Sequence, residues 1–196
     1  KVLRAIGDPA QRFAEDHLRL LRAARFATRL DFSIDPATAN AIRSAAPHIA
    51  RISRERIGEE LRLMLEAPAR AASMRLLAQL GLLRAIWPPI VAFADAVDFP
   101  TLAALHSPAP RWLGLLATQI DLAQMAGEPS ADLSTAARAL RAAFMLSNAE
   151  TEAIAWAAER WMAVRTGAAG GDARWKRTMA DGRWPDVANL LRAGEI

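Results

Sequence analysis

The chain has 196 residues, 53% of them hydrophobic, and no cysteine; this excludes disulfides and thiolate metal sites and fits a reducing, cytoplasmic setting. A formal net charge of +4 and a pI near 10.8 rest almost wholly on arginine, since Lys1 and Lys176 are the only lysines, and suit a polyanionic partner. No apolar run approaches the roughly 20 residues that cross a bilayer, so no membrane is expected as a partner, and no signal peptide precedes the first polar stretch.

In chain order, Lys1 to Ile6 reads as an extended connector that ends at Gly7-Asp8-Pro9, because proline biases its predecessor away from helix. Since residue 1 is lysine rather than methionine, upstream sequence is expected. Alanine, leucine and arginine at helical spacing then predict a helix from about Glu15 to Leu30 and a turn over Asp31 to Ile34. Asp35 followed by Pro36 is an N-cap with proline at the first helical position. Pro47 breaks that helix, Ser53 caps another running to about Glu66, and Pro68 opens a further one ending near Gly81. A looser, proline-punctuated middle follows, with helices expected at Leu102 to His106 and Trp112 to Met125 and a boundary near residue 95. Beyond it the pattern predicts a helix from Leu133 to Phe144. Another starts at the capping box Ser147-Asn148-Ala149-Glu150 and runs to Val164. A loop over Gly167 to Gly171 leads to short helices at Arg174 to Ala180 and Pro185 to Ala193. The fold class is therefore all-α, an array of short helices without a substantial sheet.

Within the first long helix, Glu15, Arg19, Arg22, Arg25 and Arg29 fall on one face at about 100° per residue, while Leu20, Leu21, Ala24 and Ala27 take the other. Asp16 stands three residues before Arg19. The plain reading of that pair is a solvated ion pair worth little in stability. The chemical reading is base recognition. A carboxylate only accepts hydrogen bonds and a guanidinium only donates them. Cytosine and adenine place an amino donor beside a ring-nitrogen acceptor, whereas guanine and uracil present a carbonyl and a ring N–H. The pair therefore fits C and A and leaves G and U with unmade buried bonds.

The run Gly7-Asp8-Pro9-Ala10-Gln11-Arg12-Phe13-Ala14-Glu15-Asp16-His17-Leu18-Arg19, continuing to Phe26, resembles the connector and neck helix of class II tRNA nucleotidyltransferases and bacterial poly(A) polymerases. Its Glu-Asp-x-x-Arg core matches in full. The resemblance implies that Asp16 and Arg19 read the Watson–Crick edge of CTP or ATP, that Glu15 holds the arginine, and that Arg22 belongs to the same nucleotide-binding face. Ile52-Ser53-Arg54-Glu55-Arg56-Ile57-Gly58-Glu59-Glu60-Leu61 is similar to the family's next motif, which implies that Arg56 and Glu60 brace the neck; an ordinary i,i+4 pair is the structural equivalent. The likeness covers residues 1 to about 90. It implies a connector at 1–14 from an absent catalytic head, a neck lobe for nucleotide selection at 15–95, and a body and tail lobe at 96–196.

In that family the body and tail hold tRNA, so Arg165, Arg174, Lys176, Arg177 and Arg183 are candidate RNA-phosphate contacts; a solvated surface is the alternative. Trp156, Trp161, Trp175 and Trp184 either fill a core or stack on bases. The family's catalytic set, Gly-Gly followed by Arg-Asp and then Asp-x-Asp, does not occur here, so Mg²⁺ is implied only for an intact enzyme, through its head, and this chain alone is expected to catalyse nothing. His17, His48 and His106 are too dispersed for a metal site. The expected partners are CTP or ATP and a tRNA or other RNA 3′ end. A helical RNA-binding or protein-interaction scaffold without a nucleotide site is the rival reading.

Overall fold

The computed structural model describes residues 1–87, 133–167 and 172–193, excluding the side chains of 133–135, 172–175 and 193. The expected helices at Leu102 to His106 and Trp112 to Met125, and the boundary near residue 95, lie outside the described residues. What is described is all-α: ten α-helices, one 3₁₀ segment and a two-stranded parallel pairing of two residues per strand. No described helix is long and apolar enough to cross a membrane. The chain divides into two compact units, Lys1–Phe99 with Ala143–Met145, and Pro100–Ala142 with Leu146–Ile196.

In the first unit, β1 (Val2–Leu3) pairs in parallel with β2 (Ser33–Ile34). The connector is thus extended as expected, but the Asp31 to Ile34 turn also supplies a strand. Asp31 makes the turn in left-handed geometry (φ 53°) at the end of α2 (Leu18–Leu30). Helix α1 (Pro9–Glu15) was not foreseen as separate. It starts on Asp8, whose carboxylate accepts the Ala10 N–H, with Pro9 in the first turn; the same aspartate–proline logic starts α3 (Pro36–Ala45), where Asp35 accepts from Thr38. A 3₁₀ segment (Ala46–Arg51) follows, then α4 (Arg54–Glu66) capped by Ser53. Helix α5 (Arg70–Gln79) begins two residues after Pro68 rather than on it. Gly81, at φ 71°, turns the chain into α6 (Leu82–Ile86).

Helix α2 (Leu18–Leu30) is central to this unit and packs on α4 and α5, while α1 packs on α3. Leu20, Leu21 and Ala24 of α2 are fully buried with Ile57, Leu61, Met64 and Leu65 of α4 and Met74 and Leu77 of α5. Each large aliphatic group so buried stabilises the fold by about 1.5–3 kcal/mol relative to exposure. Phe144, assigned to the same unit, meets Trp87 edge to face with centroids 5.6 Å apart. Its carbonyl oxygen lies where a side chain on Gly58 would begin, 2.7 Å from an added Cβ.

In the second unit, α7 (Leu133–Phe144) ends where expected, although its last two residues count with the first unit. Helix α8 (Asn148–Arg165) begins on the complete capping box: Ser147 accepts from the Glu150 N–H and Glu150 accepts from the Ser147 N–H. Helices α9 (Asp172–Met179) and α10 (Trp184–Ala193) follow. Helix α8 packs on α10, burying Ile154, Ala157, Ala158 and Trp161 with Val187 and Leu190.

Candidate functional site

The predicted helix through Glu15, Asp16 and Arg19 is broken at its second residue. Asp16 is extended (φ −151°, ψ 107°), so Glu15 ends α1 and His17 caps α2. The cause is local. Asp16 Oδ1 accepts the Leu18 N–H at 3.0 Å, one of the donors that a helix start leaves unpaired. The Asp16 carbonyl then accepts the Arg19 N–H at 3.1 Å. The two residues therefore share one turn of backbone without sharing a helix.

This break organises the side chains. Arg19 Nη1 donates to Glu15 Oε2 and to the Arg12 carbonyl, the latter at 2.8 Å. Arg12 Nη1 also reaches Glu15, at 2.8 Å. The hydrogen bond from Arg19, aided by the charges of both arginines, holds the Glu15 carboxyl below its usual range. Both of these bonds pass through Nη1, so among the described residues Nε and Nη2 are left to donate. Asp16 keeps Oδ2, with Arg56 Nη2 at 3.5 Å. The Asp16 and Arg19 side chains are 29% and 35% exposed, reachable from solvent while anchored from behind. Such an edge offers an acceptor and a pair of donors to a flat ligand.

Arg56 and Glu60 are not paired with each other, contrary to the i,i+4 expectation. Arg56 turns to Asp16, and Glu60 reaches across to α2, where Oε1 accepts from Arg22 Nε at 2.9 Å and Oε2 from Arg25 Nε at 2.8 Å. Glu60 is only 5% exposed, and a carboxylate there needs cationic partners. Its hydrogen bond raises the Arg22 pKa. The arginine face is accordingly not uniformly free: Arg22 and Arg25 serve the packing of α2 on α4. The sequence carried a hint of this, because Glu60 falls within the apolar stripe Ile57, Leu61, Met64 and Leu65, where an unpaired carboxylate is not tolerated. Arg12 was missed as a member of the cluster, and Arg25, expected on the arginine face, turns out to be held by Glu60.

The candidate RNA contacts of the second unit divide similarly. Arg183 grips Asp181 with Nε at 3.0 Å and Nη2 at 2.8 Å and lies over the Trp156 ring at 4.2 Å. That hydrogen bond holds Asp181 down to about 2 and raises Arg183. Arg165 covers the buried Trp161 ring at 4.6 Å. Lys176 and Arg177 are exposed on α9. The Arg174 and Trp175 side chains lie outside the described residues. No group of three potential metal-binding side chains occurs among the described residues.

Residues 31–93 match the family described as the probable RNA and SrmB-binding site of polymerase A. The CCA-adding enzyme of Geobacillus stearothermophilus is 42% identical over 118 residues, covering 57% of this chain and 28% of that protein. That of Limosilactobacillus reuteri is 48% identical over 64 residues, 33% of this chain and 16% of the relative. The crystal structure of the Bacillus stearothermophilus CCA-adding enzyme in complex with CTP superposes with a TM-score of 0.73 at 25% identity, over 98% of this chain and 46% of that one. In sequence and in fold the chain resembles the class II tRNA nucleotidyltransferases. It corresponds to a C-terminal part of such proteins and spans under half the length of the relatives it matches. A CCA-adding enzyme solved with ATP shares the fold at 19% identity and a TM-score of 0.57, over 94% of this chain and 45% of that one. The RNA- and SrmB-binding family match at residues 31–93 takes in Arg56 and Glu60; Asp16 and Arg19 precede it.

Proposed function

We propose that this chain is the nucleotide-selecting and RNA-binding region of a template-independent RNA 3′-end nucleotidyltransferase of the CCA-adding kind. The observation that carries the reading is the anchored, open edge. Glu15 and the Arg12 carbonyl fix Arg19 through one nitrogen and the Leu18 N–H fixes Asp16 through one oxygen; among the described residues Nε and Nη2 stay open, and Oδ2, with Arg56 Nη2 at 3.5 Å, keeps a lone pair with which to accept. Oδ2 would accept from the amino group of cytosine or adenine, and the guanidinium would donate to the adjacent ring nitrogen. Guanine and uracil would set a carbonyl against the carboxylate, and discrimination through such contacts is worth about 1–3 kcal/mol. The solved complexes of similar CCA-adding enzymes with CTP and with ATP support this choice of bases. In the intact enzyme, Mg²⁺ held by carboxylates of a catalytic head would polarise the reacting phosphate. RNA binding by the second unit would rest first on Lys176 and Arg177, which are exposed and make no ion pair or ring contact among the described residues.

The test is nucleotide titration. Calorimetry or NMR of the chain with CTP, ATP, GTP and UTP should rank C and A above G and U, and Asp16→Ala should flatten the ranking. Equal affinities for all four in the native chain would refute base reading and leave the scaffold.

A further inference from the structure

Next to the Asp16–Arg19 edge, on the side of α1 and α3, is a depression of about 400 Å³ whose floor is alanine and whose polar lining is His17, Ser44, His48 and Arg51. His17 comes from the α1–α2 break, Ser44 from the end of α3, and His48 and Arg51 from the 3₁₀ segment. The two imidazoles meet edge to face with centroids 5.5 Å apart. Arg51 is exposed and makes no ion pair among the described residues. Three groups able to carry positive charge and one hydroxyl therefore line one space, and no carboxylate among the described residues lines it with them.

We propose that this depression binds a phosphate group, with Arg51 as the permanent charge, Ser44 as a neutral donor, His48 as a ring N–H donor, and His17 as a donor that protonates as the anion arrives. A divalent metal fits less well: it would have two nitrogen ligands and a guanidinium repelling it. A phosphate suits all four groups, since arginine and protonated imidazole only donate and a phosphate oxygen accepts from several donors at once. In the empty site partial burial disfavours the His17 cation, and the charges of His48 and Arg51 add to this, while Asp16 opposes it. A seated anion reverses the balance, so binding draws in protons and the proton and phosphate affinities rise together. The phosphate can come from an RNA backbone or from a nucleotide, because the chemistry of recognition is the same.

The experiment follows the histidine ring resonances of the native chain by NMR from pH 5 to 8, with and without inorganic phosphate. Phosphate should raise the His17 midpoint by roughly one unit, and its affinity should fall several-fold between pH 6 and 7.5. Arg51→Gln, at an exposed position, should abolish the shift with the fold intact by circular dichroism; Arg51→Lys should retain part of it. A His17 midpoint that phosphate leaves unmoved, or moves equally in Arg51→Gln, overturns the proposal. Competition then identifies the source. Displacement by a short single-stranded RNA assigns the site to the backbone, displacement by a nucleotide assigns it to the triphosphate, and displacement by neither leaves an adventitious ion only and overturns it. The site rests on no base reading: GTP should displace phosphate whether or not the Asp16–Arg19 edge tells it from CTP, so the failure of either reading leaves the other standing.

Discussion

Replacing Glu60 by glutamine keeps the shape of the side chain and removes the one charge shared by Arg22 and Arg25. Because the Arg25 side chain is only 13% exposed, its cation would be left short of a partner in a poorly solvated place, whereas Arg22, at 47%, can turn to water. The expected loss is about 1–3 kcal/mol, below the cost usual for breaking a fully buried pair, and urea unfolding measures it. Glu15 behaves differently because it is exposed. Its pKa is depressed by Arg19, so the grip on Arg19 is complete above the ordinary glutamate value near 4.5 and is lost as the pH falls through the lower folded value. Base discrimination, if it uses a fixed guanidinium, should therefore hold across pH 5 to 8 and fail only in stronger acid. Nucleotide titration at pH 4 and below reads this. At this scale the sequence made Glu15, Asp16 and Arg19 legible through their spacing, but it could not show that Glu60 answers to α2, because that pairing joins residues 35 and 38 positions apart.

Helix starts were legible wherever a capping side chain stood before the first turn: Asp35 with Pro36, Ser53, and the Ser147–Glu150 box all begin helices in the structure. The same signal at Asp8 and Pro9 was present and went unused, because the stretch before Glu15 was read as a connector. The break at Asp16 had no such signal. Residues 10 to 27 favour helix almost throughout, and what interrupts them is the need for α1 to pack on α3 while α2 packs on α4 and α5, a tertiary demand that overrides propensity. Asp16→Ala should accordingly cost about 1 kcal/mol by removing the acceptor of the Leu18 N–H; thermal melting beside the nucleotide titration separates this from lost recognition. Gly58→Ala should cost more than the small change suggests. Its Cβ would stand 2.7 Å from the Phe144 backbone oxygen, and overpacking of this kind typically costs about 1–3 kcal/mol. A chemical denaturation midpoint unchanged by this substitution would show that the approach of Phe144 to α4 is not tight.

Over the whole molecule, excess positive charge pointed to a polyanion without saying where it would sit. The folded contacts reassign much of that charge: Arg22 and Arg25 to Glu60, Arg183 to Asp181, Arg19 and Arg12 to Glu15. What remains available on the second unit includes Lys176 and Arg177. If these contact phosphates, Lys176→Gln and Arg177→Gln should each reduce the slope of log affinity against log salt by roughly one contact's worth, about 0.7 for single-stranded RNA, while Arg183→Gln should change it less. Filter binding of RNA between low and moderate salt measures the three slopes. The two-oxygen hold of Glu60 also has a mechanical result. Each oxygen meets a different arginine, and those arginines sit three residues apart along α2. The helix can neither roll about its axis nor slide along α4 without surrendering one of the two bonds, so the heading of Arg19, less than a turn before Arg22, is set by an anchorage on a different helix.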